Sequence, residues 1–102
     1  MKPIFPLVLL GGLLAVATPA IAFDPDNGKK LYENHCAGCH GETGKSLTPD
    51  TPNLSQGEGL EKSDFEIIET LKTGSKVMPA YAAILTDEEL LDVVIHVRSL
   101  PF

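Results

Sequence analysis

The chain has 102 residues, with eight Lys plus Arg against fourteen Asp plus Glu and a formal charge of −6. That length allows one domain, and the acidic balance argues against nucleic-acid binding, which depends on basic patches. An apolar content of 43% excludes wholesale disorder, although four Phe, two Tyr and no Trp leave few large side chains for a core.

Residues 1–22 read as a secretory signal peptide. Lys2 gives a minimal positive start, residues 7–16 form an apolar run broken by Gly11 and Gly12, and Pro19 ends any helix. Ala20-Ile21-Ala22 then supplies the small residues a signal peptidase accepts. No charge occurs between Lys2 and Asp24, so the same stretch is also long enough to act as an uncleaved membrane anchor. The Pro19 break and the A-x-A site favour cleavage and a periplasmic or otherwise exported product. Cleavage removes Lys2 and leaves residues 23–102, with seven basic against fourteen acidic residues and a charge of −7. A domain that small needs a staple such as a disulfide, a metal or a cofactor. Cys36 and Cys39 are the only candidates in the chain.

The first predicted element of the mature chain is a helix over 25–36, with Asp24 as N-cap and Pro25 at its first position. Residues 41–59 read as loop, because Gly41, Gly44, Pro49, Pro52, Gly57 and Gly59 interrupt any period. A second helix runs over 63–73. It opens on the capping-box pattern Ser63-Asp64-Phe65-Glu66, stops at Gly74, and carries Phe65, Ile68 and Leu71 as an apolar stripe. A loop over 75–85 contains Met78-Pro79. The last helix covers 86–100. It opens on Thr86-Asp87-Glu88-Glu89, and Leu90, Val93, Val94 and Val97 mark its buried face. Arg98 sits at its negative end and Pro101 stops it. No alternating strand pattern survives elsewhere, so the expected class is all-α.

Cys36-Ala37-Gly38-Cys39-His40 is C-x-x-C-H, the covalent attachment signature of a c-type haem. Cysteines three apart at a helix end point to one side, so each sulfur can reach one vinyl group of a porphyrin. His40 then lies over the ring and offers a nitrogen to the iron. Three other readings use the same residues. A Cys36–Cys39 disulfide would close a tiny loop and add little. A dithiol redox pair belongs beside a βαβ pattern, and none is present. A zinc site from His35, Cys36, Cys39 and His40 would draw every ligand from six consecutive residues, unlike the separated pairs of structural zinc sites. Met78 is the only thioether of the mature chain and sits beside a proline in a loop, 38 residues after His40. It is the expected second axial ligand. Its alternative role is core filling.

With these residues in place, the mature chain resembles the class I c-type cytochromes over essentially its whole length. Gly28-Lys29-Lys30-Leu31-Tyr32 is similar to the family's N-terminal helix, in which the glycine admits another helix and the aromatic packs behind it. Pro52-Asn53-Leu54 resembles the loop whose proline carbonyl accepts the axial histidine's Nδ1–H and whose leucine lines the ring. Met78-Pro79-Ala80-Tyr81 resembles the distal ligand loop, and residues 85–100 the C-terminal helix that crosses the first. The resemblance implies three or four helices around one covalently attached haem c. Cys36 and Cys39 would be its thioethers, His40 and Met78 its iron ligands, and Pro52, Leu54 and Tyr81 its pocket. His96 departs from the aromatic usual there and is expected to pack in the helix crossing. His35 is expected to face solvent.

The implied function is single-electron transfer between redox proteins without bond chemistry, with no catalytic residue and a positive midpoint potential. Net acidity points to a donor and acceptor with a basic docking face. Lys45, Lys72 and Lys76 would form a local basic rim, and the state expected is a monomer. The competing functions are a haem subunit of a larger redox enzyme complex, with an apolar patch around Ala80, Ala82 and Ala83, an open-iron gas-binding or peroxidase-like haem protein, and a dithiol oxidoreductase.

Overall fold

A computed structural model describes residues 23–100; the predicted leader and Pro101 lie outside this range. The described chain forms four α-helices: α1 (Pro25–His35), α2 (Ala37–His40), α3 (Asp64–Thr73) and α4 (Asp87–Arg98). One 3-10 turn, Leu54–Gln56, interrupts the long loop. No strand occurs among the described residues, and the expected all-α class holds.

Helices α1, α3 and α4 start where polar side chains satisfy free N–H groups. The Asp24 carboxylate accepts from Asn27 N at 3.1 Å, with Pro25 in the first turn of α1. Both predicted capping boxes form: Ser63 with Glu66 on α3, and Thr86 with Glu89 on α4. Gly74 ends α3. Helix α4 ends two residues before the predicted Leu100, because Ser99 N and Ser99 Oγ both turn to the His96 carbonyl, at 2.9 and 2.6 Å. Helix α1 ends one residue before the predicted Cys36. Cys36 bends the chain, its N–H still reaching Tyr32 O at 2.8 Å, and α2 follows with His40 as its last residue.

Helices α1 and α4 cross at Gly28. A Cβ there would collide with the Asp92 carbonyl, 2.6 Å from its carbon, so only glycine lets the backbones approach this closely. Around the crossing pack Tyr32, Ala37, Leu54, Val93, Val97 and Leu100. Tyr32 is wholly buried (0% exposed) and its ring lies 5.3 Å from that of His96, as expected for a packing histidine. A second cluster, Tyr81, Leu85 and Leu90, takes in Ile68 and Leu71 of α3. Leu31 borders both.

Phe65 does not join the stripe predicted for α3, being 71% exposed. A spacing of three residues falls about 60° short of a full turn at 3.6 residues per turn, so residue 65 lies about 120° around the helix from residue 71. Ile68 and Leu71 face the buried cluster, and Arg98 pins the start of the helix. Its Nε meets Asp64 Oδ1 at 2.8 Å, while Nη1 and Nη2 donate to Leu60 O at 2.9 Å and Lys62 O at 2.8 Å.

Candidate haem site

The C-x-x-C-H residues occupy the bend and short helix after α1. Cys36 is half-buried, Cys39 is exposed, and both are free. Burial pushes the Cys36 thiol up to about 11, the opposite of the depressed value a reactive redox thiol needs. Among the described residues there is also no strand, so the βαβ setting of a dithiol pair is not found there. Among those residues no three His, Cys, Asp or Glu side chains converge on a point that could hold a bare metal ion, which removes the zinc reading.

His40 is half-buried, and its Nδ1 lies 3.2 Å from Pro52 O. A carbonyl can only accept, so Nδ1 carries the hydrogen and Nε2 keeps its lone pair for a metal. Burial lowers the His40 pKa, partly offset by the bond to Pro52, which favours the neutral form a ligand requires. The loop that presents Pro52 is tied down on both sides. Leu47 N donates to Cys39 O at 2.8 Å, and Ser55 N to Gly44 O at 2.9 Å. Asn53 Oδ1 accepts from Ser55 Oγ at 2.8 Å and Ser46 N at 3.4 Å, while Asn53 N donates to Glu58 Oε1 at 2.6 Å. Leu54, next in sequence, is buried against the α1–α4 core. This polar network was not read from the sequence; the Asn beside the proline was its only trace.

The attachment turn is bracketed by two tyrosines. Tyr32 Oη donates to Gly41 O, just after His40, at 2.6 Å. Gly41 supports this with a left-handed φ of 83° and no Cβ to strike Lys45 O. Tyr81 Oη donates to His35 O, just before Cys36, at 2.9 Å. Its buried ring meets His35 edge-on at 5.7 Å, so His35 is exposed as expected yet covers Tyr81.

Met78 is half-buried in a turn closed by Met78 N to Ser75 O at 2.7 Å and Ser75 N to Met78 O at 3.1 Å. Among the described residues no side-chain hydrogen bond joins it to His40 or the cysteines; its connection to them runs through Tyr81. The donor set fits a c-type haem: two free thiols three residues apart, an imidazole with Nε2 available, and a thioether on an anchored loop. The apolar groups fit it too. They form two clusters flanking the attachment turn rather than one continuous core, and α3 contributes no fully buried residue.

Residues 23–97 match the family described as cytochrome c oxidase, cbb3-type, subunit III. Cytochrome c6 of a Nostoc species is 39% identical over 95% of this chain and 92% of its own length. Cytochrome c6 of Thermosynechococcus vestitus is 38% identical over 83% of this chain and 79% of its own. The solved structure of the c-type cytochrome KustC0563 superposes with a TM-score of 0.66 at 31% identity, covering 74% of this chain and 98% of that one. The chain therefore belongs to the small monohaem c-type cytochromes, electron carriers rather than enzymes, with one covalently attached haem c and its iron.

Proposed function

We propose that the chain is an exported cytochrome that passes single electrons between two redox proteins through an iron ligated by His40 and Met78. Cys36 and Cys39 would hold the haem as thioethers. The bound group supplies a one-electron couple. Were His40 and Met78 both to hold the iron, they would leave no position for a substrate, and the chemistry supplied would be electron transfer alone. The soft thioether of Met78 favours reduced iron and raises the potential. The Pro52 carbonyl makes His40 more basic and pulls the other way. The observation that carries this reading is the 3.2 Å contact of His40 Nδ1 with Pro52 O, which puts the ring hydrogen on Nδ1 and leaves the Nε2 lone pair for a metal. The apolar leader with its A-x-A site supports export.

The test is spectroscopic. Oxidised wild-type holoprotein shows the weak near-infrared band of a sulfur–iron bond, Met78→Ala loses it, and only the variant binds carbon monoxide when reduced. A wild-type protein that lacks the band and binds carbon monoxide overturns Met78 ligation and favours the open-iron reading.

Docking follows from charge and exposure. Lys72 is paired with Glu69 at 3.5 Å and Asp87 at 3.3 Å, which offsets its charge locally. Lys45 and Lys76 carry no ion pair among the described residues. Beside Met78, Val77 is 85% and Ile84 56% exposed, and Ala80, Ala82 and Ala83 are exposed between them. A small apolar contact on an acidic protein suits a transient partner with a basic face. Electron-transfer rates with such a partner fall as salt rises; a salt-independent rate removes the steering. A second reading, a haem subunit of a larger redox complex, draws on the same apolar surface and on the oxidase-subunit description of the matching family. Size measurement of the native protein separates them: a monomer supports the free carrier, and stoichiometric co-purification with a larger chain supports the subunit.

A further inference from the structure

We propose that Tyr81 is the positioning residue of the distal loop: its hydroxyl, bonded to the end of α1, latches Met78 over the iron against competing ligands. This rests on the ligation of iron by Met78 argued above.

The loop between α3 and α4 closes on itself at Ser75 and Met78, which ties the turn but does not place it. Placement comes from Tyr81. Its N–H donates to Leu71 O at 2.9 Å, and Ala82 N donates to Lys72 O at 3.3 Å. Both acceptors belong to the last turn of α3, where carbonyls lack helical partners. The Tyr81 side chain runs the other way. Its hydroxyl reaches His35 O at 2.9 Å, the last residue of α1 and the neighbour of Cys36. Its ring is buried with Leu85 and Leu90 and takes in Leu31, Ile68 and Leu71. Among the described residues this is the one side-chain hydrogen bond between residues 74–85 and residues 25–41. A phenylalanine would keep the packing and lose the link.

The loop has reason to open without it. Val77 and Pro79 are exposed, and Lys76 holds a left-handed φ of 52°, which a side chain bearing Cβ disfavours. Segments with few buried contacts open locally at low cost, independently of global unfolding. A single hydrogen bond then shifts the open–closed equilibrium by about fivefold. Any ligand that must displace Met78 reports that equilibrium directly.

The experiment titrates ferric holoprotein with imidazole, following loss of the near-infrared sulfur–iron band. Tyr81→Phe keeps the band in the absence of imidazole and binds imidazole about fivefold more tightly. Val93→Ala, in the α1–α4 core, melts earlier but keeps the wild-type affinity. An affinity of Y81F within about twofold of wild type overturns the latch, as does an equal gain in V93A, which would mark the effect as global loosening. A wild-type protein without the band fails at Met78 itself, a result distinct from either. Hydrogen exchange needs no variant: saturating imidazole exposes the amides of Tyr81 and Ala82 while α4 stays protected. Unchanged protection at those two amides refutes the latch.

Discussion

Gly28→Ala is the most direct probe of the framework that carries the haem. In an isolated helix the change would help, since Ala is favoured over Gly by roughly 1 kcal/mol. Here the new Cβ points at α4. It would lie 2.6 Å from the Asp92 carbonyl carbon and 3.3 Å from His96 Cβ, where ordinary contacts begin at 3.4 Å. The helices must therefore part by more than the 0.8 Å between 3.4 and 2.6 Å, because the Asp92 carbonyl oxygen lies nearer still. Overpacking of this kind costs roughly 1–3 kcal/mol. The same separation strains the Asp92 carboxylate, which accepts from Asp24 N at 3.0 Å and Asn27 Nδ2 at 3.2 Å. Bonds to a charged group are worth about 1.5–3 kcal/mol each when lost outright, and Asp92 is only 8% exposed, so water replaces them poorly. After subtracting the propensity gain, the net destabilisation is about 2–4 kcal/mol. For a domain of this size that lowers Tm by on the order of 10–25 °C. Thermal melts of the holoprotein by circular dichroism give the number. The near-infrared band should persist at low temperature, because the crossing does not touch the Met78 loop. A variant that melts at or above wild type would refute the close-approach argument.

Two further outcomes follow from other parts of the framework. Arg98→Ala frees the carbonyls of Leu60 and Lys62 together with Asp64; the expected loss is about 1–3 kcal/mol in urea unfolding, with Arg98→Lys restoring only part because an ammonium lacks the planar fork. His96 has its pKa lowered, chiefly by burial and then by Lys29, with Glu33 opposing. The unfolded chain therefore takes up this proton first, so stability is full above the ordinary histidine pKa and declines as pH falls below it. His96→Gln should flatten the stability profile of the holoprotein between about pH 7 and 5, and an unchanged slope would contradict it.

The sequence was most legible where local chemistry decides. Asp24, Ser63 and Thr86 cap helices because their side chains satisfy N–H groups a few residues away, and such signals need no knowledge of the fold. C-x-x-C-H and Pro52-Asn53-Leu54 were legible as motifs, and the geometry of His40 with Pro52 matches what the resemblance implied. Long-range bonds were not legible. Asp92 reads as one more helical acid until α1 is laid across it, and Arg98 reads as a dipole partner until Leu60 and Lys62 turn their carbonyls toward it. Lys72 counted as a free basic residue; Glu69, three residues back on α3, was a legible neighbour, but Asp87 comes from α4 and was not. In each case the decisive partner is set by tertiary packing, on which hydropathy and spacing are silent. Phe65 shows the complementary limit: spacing in threes placed it on the apolar face, and the drift of about 60° in each such step carried it round to solvent.

The two tyrosines explain how so small a chain can hold its cofactor rigidly. Each anchors one hydrophobic cluster, Tyr32 at the α1–α4 crossing and Tyr81 beside α3, and each sends its hydroxyl to a carbonyl flanking residues 36–40. The attachment turn is thus gripped at both ends, from opposite clusters, while Pro52 orients its histidine. Burial pushes the Tyr32 phenol up to about 12, so it stays a donor throughout the physiological range. Electron transfer rewards a site whose ligands do not move between oxidation states, because reorganisation enters the barrier directly. Covalent thioethers alone would fix the ring to one short helix; the paired hydroxyls fix that helix to both halves of the core. The arrangement also divides the labour. Loss of the Tyr32 bond should loosen the histidine side, loss of the Tyr81 bond the methionine side, and only the second should admit a foreign ligand at the iron.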